Sequence, residues 1–103
     1  EDTRPVTAGQ TRAVGLNVPG GVGHFRVLEI LRESGGAAVM VSEGDIARGM
    51  AWRWPGLITP LSPEGAAALV ALPSLLAREL IRPGEHIVVF ETGCPEKYAD
   101  PVD

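Results

Sequence analysis

The stretch from Ser62 to Gly93 constrains the fold of this 103-residue chain most, because it joins a strong helix start to an apolar run that ends abruptly. Ser62 is a good N-cap residue, and Pro63 suits the first position of a helix. Glu64 places a negative charge at the positive end of the helix dipole. The small residues from Gly65 to Ala68 let this first turn approach another part of the molecule closely. A helix is therefore predicted to begin at Pro63.

The second half of this stretch predicts a strand that ends at a ligand site. The run from Ile87 to Phe90 is continuously apolar, as expected of a strand that is covered on both faces. The strand pattern stops at Thr92 and Gly93. Open α/β sheets bind ligands at the carboxyl ends of their strands, so a hydroxyl residue followed by glycine indicates a site at this position.

Helix and strand patterns also alternate upstream. Residues 24–34 are predicted to form a helix, because apolar side chains recur there at a spacing of three, and Gly35-Gly36 ends it. Residues 37–41 form a short apolar run that predicts a strand. Ser42 is predicted to cap a second helix, with Asp45 in the position of a capping box.

A proline interrupts the predicted long helix. Pro73 removes one backbone hydrogen bond and costs about 3 kcal/mol in a regular helix interior. The helix is therefore predicted either to kink there or to end near Leu72 and restart at Pro73 and Ser74. The order of predicted helices and strands along the chain indicates a small α/β fold of three layers, with a short parallel sheet and flanking helices. Because two strands make a poor sheet, a further strand is expected from residues 10–18, from residues 57–60 or from a partner chain.

The chain divides into an irregular segment at residues 1–23, an α/β region at residues 24–98 and a tail at residues 99–103. The first segment is rich in glycine and proline, which predicts irregular or partly extended backbone. A chain of this length makes one small domain. Its 45% of hydrophobic residues is slightly high for a free-standing domain, which indicates apolar surface that faces another part of a larger protein. An alanine-rich protein that lacks no partner is the alternative.

Charge and composition exclude several classes of function. The net charge is −4 and the arginines are scattered singly, so the sequence has no basic patch for nucleic acid. No run approaches the roughly 20 apolar residues that span a bilayer, and the N-terminus lacks the pattern of a signal peptide. Cys94 is a single cysteine, and His24 and His86 stand alone without further ligands at metal-binding spacing. The default expectation is a cytoplasmic protein that binds neither nucleic acid nor membrane.

Two motifs carry a resemblance to a known family. The segment Pro-Glu-Gly-Ala-Ala-Ala-Leu-Val-Ala-Leu, followed by Gly-Glu-His-Ile-Val-Val-Phe-Glu-Thr-Gly, resembles the C-terminal part of the pyridoxal-phosphate enzymes of the tryptophan-synthase-β fold, or fold type II. Threonine synthase is the most similar member of that group. The resemblance continues upstream through residues 15–19 and 33–43, and it covers roughly residues 8–98 in the same order.

The resemblance implies a cofactor site built from Thr92, Gly93 and Glu64. In these enzymes a hydroxyl or thiol residue at the end of this strand hydrogen-bonds the pyridine nitrogen, and Thr92 matches that position. Gly93 would lie beside the ring, while Glu64 and Gly65 would sit at the helix start that faces it. The alternatives are that Thr92 only closes the strand and that Glu64 only complements the helix dipole. The resemblance implies no catalytic residue and no metal ligand in this chain.

The chain also departs from the family pattern. Threonine synthases more often continue Thr-Gly-His-Gly-Leu-Lys, whereas this sequence has Thr92-Gly93-Cys94-Pro95-Glu96-Lys97. The lysine that forms the Schiff base lies in the N-terminal half of these enzymes, and the one lysine here, Lys97, is not in that setting. No glycine-rich phosphate loop follows a strand pattern either. The chain is therefore interpreted as the C-terminal piece of a larger enzyme, which binds pyridoxal phosphate only together with its missing N-terminal half.

Three functions stay open. The first is a pyridoxal-phosphate-dependent lyase of amino-acid biosynthesis that resembles threonine synthase, with O-phosphohomoserine as substrate and threonine as product. The second is another fold type II enzyme, of the threonine dehydratase or cysteate synthase type. The third is a non-catalytic α/β module that acts in association or regulation. The isolated chain is expected to form a homo-oligomer and, as a piece of an enzyme, to be inactive alone.

Four other residues have weaker interpretations. Cys94 is reactive if it is exposed, although a lone cysteine is more often inert. Lys97 is either a phosphate or substrate contact or a solvated surface lysine. Trp52 and Trp54 are two residues apart and point in different directions on a helix. At most one of the tryptophans is therefore expected in the core, and the other is expected to mark an interface.

Overall fold

The computed structural model describes residues 6–18, 20, 23–57 and 60–94 of the chain. These residues form one short 3-10 helix and four α-helices: the 3-10 helix Val14–Leu16, α1 (His24–Ser34), α2 (Glu43–Ala51), α3 (Pro63–Val70) and α4 (Leu72–Ala77). None of the described helices is long and apolar enough to cross a membrane. All of the regular structure in the described ranges is therefore helical.

The predicted α/β fold is wrong. Helices make up 44% of the described residues, and no strand or sheet occurs among them. The predicted strands at residues 37–41 and 87–90 have no regular secondary structure, and the possible strand at residues 10–18 holds the 3-10 helix instead. Part of the possible strand at residues 57–60 and the whole tail at residues 99–103 lie outside the described residues.

The physical reason is that a strand needs a neighbour. A strand satisfies its backbone groups by pairing with another strand, and strand propensity reflects how well side chains fit a pleated, half-buried surface. Neither apolar run finds such a surface within the described residues: Met40 is 95% exposed, and Val88 and Phe90 are each 83% exposed. A helix satisfies its backbone groups within itself. The helices that capping residues predict therefore form, whereas the strands do not.

Helix α1 has the bounds that the sequence predicts. It ends at Gly35, which adopts the left-handed conformation with a φ of 68° and donates its N–H to the Leu31 carbonyl. Glycine reaches this conformation without a steric penalty. The apolar face of the helix is only partly covered, because Phe25 is 61% exposed and Ile30 is 49% exposed, whereas Leu28 and Leu31 are half-buried.

Serine caps begin the next two helices, as predicted. Ser42 precedes α2, and its Oγ accepts a hydrogen bond from the Asp45 N–H at 3.0 Å. Ser62 precedes α3, and its Oγ accepts from the Gly65 N–H at 3.1 Å, with Pro63 in the first helical position. Each bond satisfies one of the N–H groups that a helix start leaves without an intrahelical partner.

The long helix predicted around Pro73 is broken into two shorter helices. Helix α3 ends at Val70, Ala71 links the two helices, and Pro73 occupies the second position of α4. Proline is tolerated there because the first N–H groups of a helix have no intrahelical partner. Of the two predicted alternatives, an end near Leu72 and a restart at Pro73 is therefore the closer one.

The core lies where α2 packs against α3. Gly49 of α2 is buried, and a Cβ built on it would lie 2.6 Å from Cγ1 of Val70 and 3.3 Å from Cβ of Ala66. The missing side chain therefore lets the two helices approach each other closely. The buried core residues are Ala13, Ile46, Leu61, Ala66 and Ala67, and Val41, Met50, Trp54 and Leu69 pack against them. Because three of these five buried residues are alanines, the core buries little apolar side chain.

Candidate functional site

The candidate site lies at the start of α3, where two distant segments meet. Ser62 is fully buried. The carboxylate of Glu91, which follows the apolar run 87–90, contacts this serine: Oε2 accepts from the Ser62 N–H at 2.9 Å, and Oε1 accepts from the Ser62 hydroxyl. Oε1 also accepts from the N–H of Gly93 at 3.3 Å. One carboxylate thus joins the helix start to the Thr-Gly segment.

Gly65 explains how the carboxylate reaches the helix. Gly65 is buried, and a Cβ built on it would lie 2.6 Å from the carboxyl carbon of Glu91. Real side chains do not come this close, so no larger residue fits without moving Glu91. The close approach that the small residues of this turn predict is therefore confirmed at Gly65, and the group that approaches is Glu91.

Glu64, a predicted cofactor-binding residue, faces the N-terminal segment. Its Oε1 accepts a hydrogen bond from the Gly15 N–H at 2.8 Å, and a Cβ on Gly15 would lie 3.0 Å from that oxygen. Oε2 is buried and has no hydrogen-bond partner among the described residues. Glu64 therefore ties the 3-10 helix to α3, and it keeps one acceptor oxygen whose burial is costly without a donor.

The other two predicted cofactor-binding residues follow Glu91. Thr92 is exposed, and Gly93 is half-buried with its N–H directed at the Glu91 carboxylate. Cys94 is a free and exposed thiol. Lys97 lies outside the described residues. The structure thus brings the Thr-Gly segment to the helix start through Glu91.

Three cavities lie away from this segment. One of about 520 Å³ opens beside Glu43, and one of about 240 Å³ lies around Trp52 and Trp54. A third, of about 490 Å³, lies between α2 and α4 and is mostly apolar. The predicted cofactor-binding residues line none of the three.

The predicted cofactor-binding residues do not by themselves make a pyridoxal-phosphate site among the described residues. Thr92 offers an exposed hydroxyl that can hydrogen-bond a ring nitrogen, and Gly93 has no side chain to obstruct the ring. The carboxylates of Glu64 and Glu91 at the helix start repel a phosphate group. A complete site therefore needs a second wall and a phosphate-binding group from elsewhere. No group of three metal-ligating side chains occurs in the part of the chain that the structure describes.

One of the two tryptophans lies against the core, and the other is exposed. Trp54 is half-buried against the core, and its Nε1–H donates to the Gly49 carbonyl at 2.9 Å. Trp52 is 66% exposed, and its ring meets the ring of Trp54 edge-on with centroids 6.4 Å apart. The prediction that at most one tryptophan lies in the core is therefore confirmed.

The acids at the start of α2 are stabilised in their ionised forms. A hydrogen bond from Thr11 lowers the pKa of Glu43, and the N–H and charge of Arg12 lower it further. The Arg12 N–H lies 3.2 Å from Oε2 of Glu43. A hydrogen bond from the Ser42 side chain lowers the pKa of Asp45. Both acids thus act as first-turn partners of the helix, and Glu43 also holds the N-terminal segment.

Glu91 is the residue of this site that the sequence pattern did not single out. Two signals point to it in retrospect. It is an acid placed directly between an apolar run and a Thr-Gly pair. In addition, Gly65 stands in the first turn of a capped helix, where glycine costs stability relative to alanine unless something needs the space.

Comparison with known proteins adds no family to these observations. No known protein family, curated protein or solved structure gives a significant match to this chain. Its function is therefore inferred from the site itself.

Proposed function

We propose that this chain supplies one wall of the pyridoxal-phosphate site in an enzyme that resembles threonine synthase. The observation that carries the proposal is the Glu91 carboxylate, which bonds Ser62 at the start of α3 and Gly93 in the Thr-Gly segment. These two segments hold the motifs on which the resemblance rests. Their meeting across 29 residues of sequence supports a shared site.

Thr92 is the residue that meets the cofactor in this proposal. Its exposed hydroxyl hydrogen-bonds the pyridine nitrogen, and a neutral partner of this kind leaves that nitrogen unprotonated. Gly93 leaves room for the ring, and Glu64 keeps one buried acceptor oxygen at the helix start. Pyridoxal phosphate, when bound, supplies an electron sink for bonds at the α-carbon of an amino-acid substrate. In this proposal the lysine that holds the cofactor and the groups that bind its phosphate are supplied by another polypeptide segment.

The proposed reaction is a lyase reaction of cytoplasmic amino-acid biosynthesis, from O-phosphohomoserine and water to threonine and phosphate. Most residues that contact the substrate belong to the other part of such an enzyme. A reaction of the threonine dehydratase or cysteate synthase type is therefore the near alternative. Release of phosphate from O-phosphohomoserine, with threonine as the second product, separates the first reaction from the others.

Two substitutions of Thr92 in the full-length native protein test the proposal. Thr92→Val keeps the shape of threonine but removes the hydroxyl, so kcat/KM is expected to fall roughly 5-fold to 150-fold, the equivalent of about 1–3 kcal/mol. Thr92→Ser keeps the hydroxyl and is expected to lose far less. Thr7→Val, at another exposed threonine, is the control. A protein that binds no pyridoxal phosphate, or a Thr92→Val enzyme with the wild-type rate, would refute the proposal.

A non-catalytic association module is the second candidate, and the exposed apolar surface favours it. On α1, Phe25 is 61% exposed and Val27 is 55% exposed, while Val88 and Phe90 are each 83% exposed. Large apolar side chains that stay exposed are available to a protein partner. The module would be helical rather than α/β, and its partner would be a second copy of the chain or another part of a longer protein.

Sedimentation equilibrium over a wide concentration range tests this second candidate. Association of the chain in the absence of pyridoxal phosphate, weakened by Phe25→Ser, is the expected result. Thr7→Ser, at a residue that is exposed but polar, is the matched control. A chain that stays monomeric at high concentration would count against the association module.

A further inference from the structure

We infer that Glu91 is a positioning residue that anchors Thr92 and Gly93 on the start of α3, and that Gly65 is glycine because this carboxylate occupies the space of its Cβ. The anchor itself follows from the contacts within the chain. Its consequence for a cofactor rests on the proposed function.

Three donors converge on the Glu91 carboxylate. They are the N–H of Ser62 at 2.9 Å, the hydroxyl of the same serine, and the N–H of Gly93 at 3.3 Å. Ser62 is fully buried, so water has little access to compete for two of the three donors. Hydrogen bonds to an ionised acceptor contribute more than neutral ones. The set is therefore suited to hold the segment after residue 90 against the helix.

The Ser62 hydroxyl connects the anchor to the helix cap. It donates its hydrogen to Glu91, which leaves its lone pairs free for the Gly65 N–H at 3.1 Å. Glu91 thus orients the capping hydroxyl as well as holding its own backbone. Loss of the carboxylate would loosen the Thr-Gly segment and the first turn of α3 together.

Gly65 provides the space for this arrangement. A Cβ there would lie 2.6 Å from the carboxyl carbon of Glu91 and 2.8 Å from its Oε1. Glycine in a helical turn costs stability relative to alanine, so a residue that adds a methyl group would otherwise be the better choice. The contact with Glu91 offsets that cost.

In the proposed enzyme Glu91 touches neither substrate nor cofactor. It acts through Thr92, whose exposed hydroxyl is placed by the bonds that its neighbour makes to Ser62. A misplacement of about 1 Å in a reacting assembly can cost roughly 100-fold in rate. The anchor therefore determines where the Thr92 hydroxyl lies when the second wall of the site is present.

Amide hydrogen exchange of the full chain, followed by NMR without any cofactor, tests the anchor. Glu91→Ala is expected to speed exchange of the Ser62 amide about tenfold or more, the effect of losing one charge-assisted hydrogen bond. Glu91→Gln keeps an acceptor oxygen and is expected to restore part of the protection. Glu85→Ala removes another carboxylate from the same C-terminal segment and serves as the control. Exchange at Ser62 that is equal in Glu91→Ala and the wild type would overturn the anchor.

A second experiment asks whether Gly65 and Glu91 act as a pair. Gly65→Ala is expected to give the wild-type chain little or no rise in Tm, because the new methyl displaces the carboxylate and this loss offsets the gain in helix propensity. In the Glu91→Ala background the same change is expected to raise Tm, since alanine is the better helix former. Equal shifts in the two backgrounds would overturn the inference.

If Glu91→Ala does not fold, Gly65→Ala provides a second test of the anchor. It is expected to speed Ser62 exchange on its own, and an unchanged rate would overturn the anchor. The anchor and the proposed function fail separately, because the exchange rates are measured without pyridoxal phosphate. A Thr92→Val enzyme with normal activity would refute the cofactor role of Thr92 and leave the anchor intact.

Discussion

Helices α1 and α2 are both short and amphipathic, and both begin where their sequences predict, yet their packing differs. On α2, Ile46 is 3% exposed and lies in the core against α3. On α1, Ile30 is 49% exposed, and no residue of the helix is buried. The same residue type on the apolar face of a similar helix is therefore covered in one case and solvated in the other.

The difference lies in small residues rather than in hydrophobicity. Gly49 of α2 and Ala66 of α3 let the two helices approach closely, which covers the larger side chains beside them. Helix α1 contains no glycine or alanine. Apolar periodicity therefore predicts which face of a helix can pack against another element. The size of the residues at the contact decides how closely that element approaches.

The largest expected effect comes from truncating the same residue in the two helices. Ile46→Ala is expected to lower the free energy of unfolding by about 2–5 kcal/mol, because it removes a buried side chain and leaves a cavity. Ile30→Ala, the matched control on α1, is expected to change it by no more than about 0.5 kcal/mol. Urea unfolding curves of both variants measure the difference. Equal losses would mean that α1 is packed in solution and that the comparison fails.

Glycine substitutions sharpen the comparison by testing the close contact itself. Gly49→Ala is expected to destabilise the fold by about 1–3 kcal/mol, because its Cβ would meet Val70 and Ala66. Gly44→Ala, on the same helix, would make only ordinary contact with Arg48 at 3.6 Å and is expected to be neutral or slightly stabilising. Thermal unfolding compares the two. If Gly49→Ala left the stability unchanged, the two helices could move apart without loss of stability.

The two serine caps compare a buried helix start with an exposed one. Ser62→Ala is expected to cost about 1–2 kcal/mol, because it removes the cap of α3 and one donor to Glu91. Ser42→Ala removes an exposed cap from α2 and is expected to cost about 0.5–1 kcal/mol. Denaturant unfolding of the two variants gives the ranking. The reverse ranking would indicate that Glu91 contributes little at Ser62.

The smallest expected effect is a dependence on pH at the start of α2. The pKa of Glu43 is lowered in the folded chain, so its ionised form is favoured and stabilises the fold above the ordinary glutamate value of about 4.3. This contribution is lost as the pH falls through the lower folded value. Glu43→Gln is therefore expected to be less stable than the wild type near neutral pH, with the difference fading in acid. A difference that grows on acidification would contradict the assignment.

Capping residues made the helices predictable, whereas apolar runs made the strands appear predictable. Ser42, Ser62 and Gly35 lie within a few residues of the backbone groups that they satisfy, and each acts as its sequence pattern indicates. The runs at residues 37–41 and 87–90 depend on a partner strand that the described residues do not supply. The sheet was therefore wrongly predicted even though each run has strand-like composition.

The site was predictable only in its local features, as the helices were. The glycine at position 65 indicated a close approach from local sequence alone, and the structure supplies one. The identity of the approaching group was not predictable, because Glu91 lies 29 residues from Ser62. Glu64 illustrates the same limit, since its partner Gly15 lies 49 residues away.

The sequence by itself determined the starts of α2 and α3 and the end of α1, because Ser42, Ser62 and Gly35 each lie within a few residues of the backbone group that they satisfy. Only the tertiary structure decided that α2 packs on α3 while α1 does not, and that the residues after the second apolar run join the start of α3. Those outcomes depend on space left by Gly49 and Gly65 and on groups that reach it from distant segments. Local sequence patterns carry no information about contacts between distant segments. These contacts are therefore decided only when the helices pack.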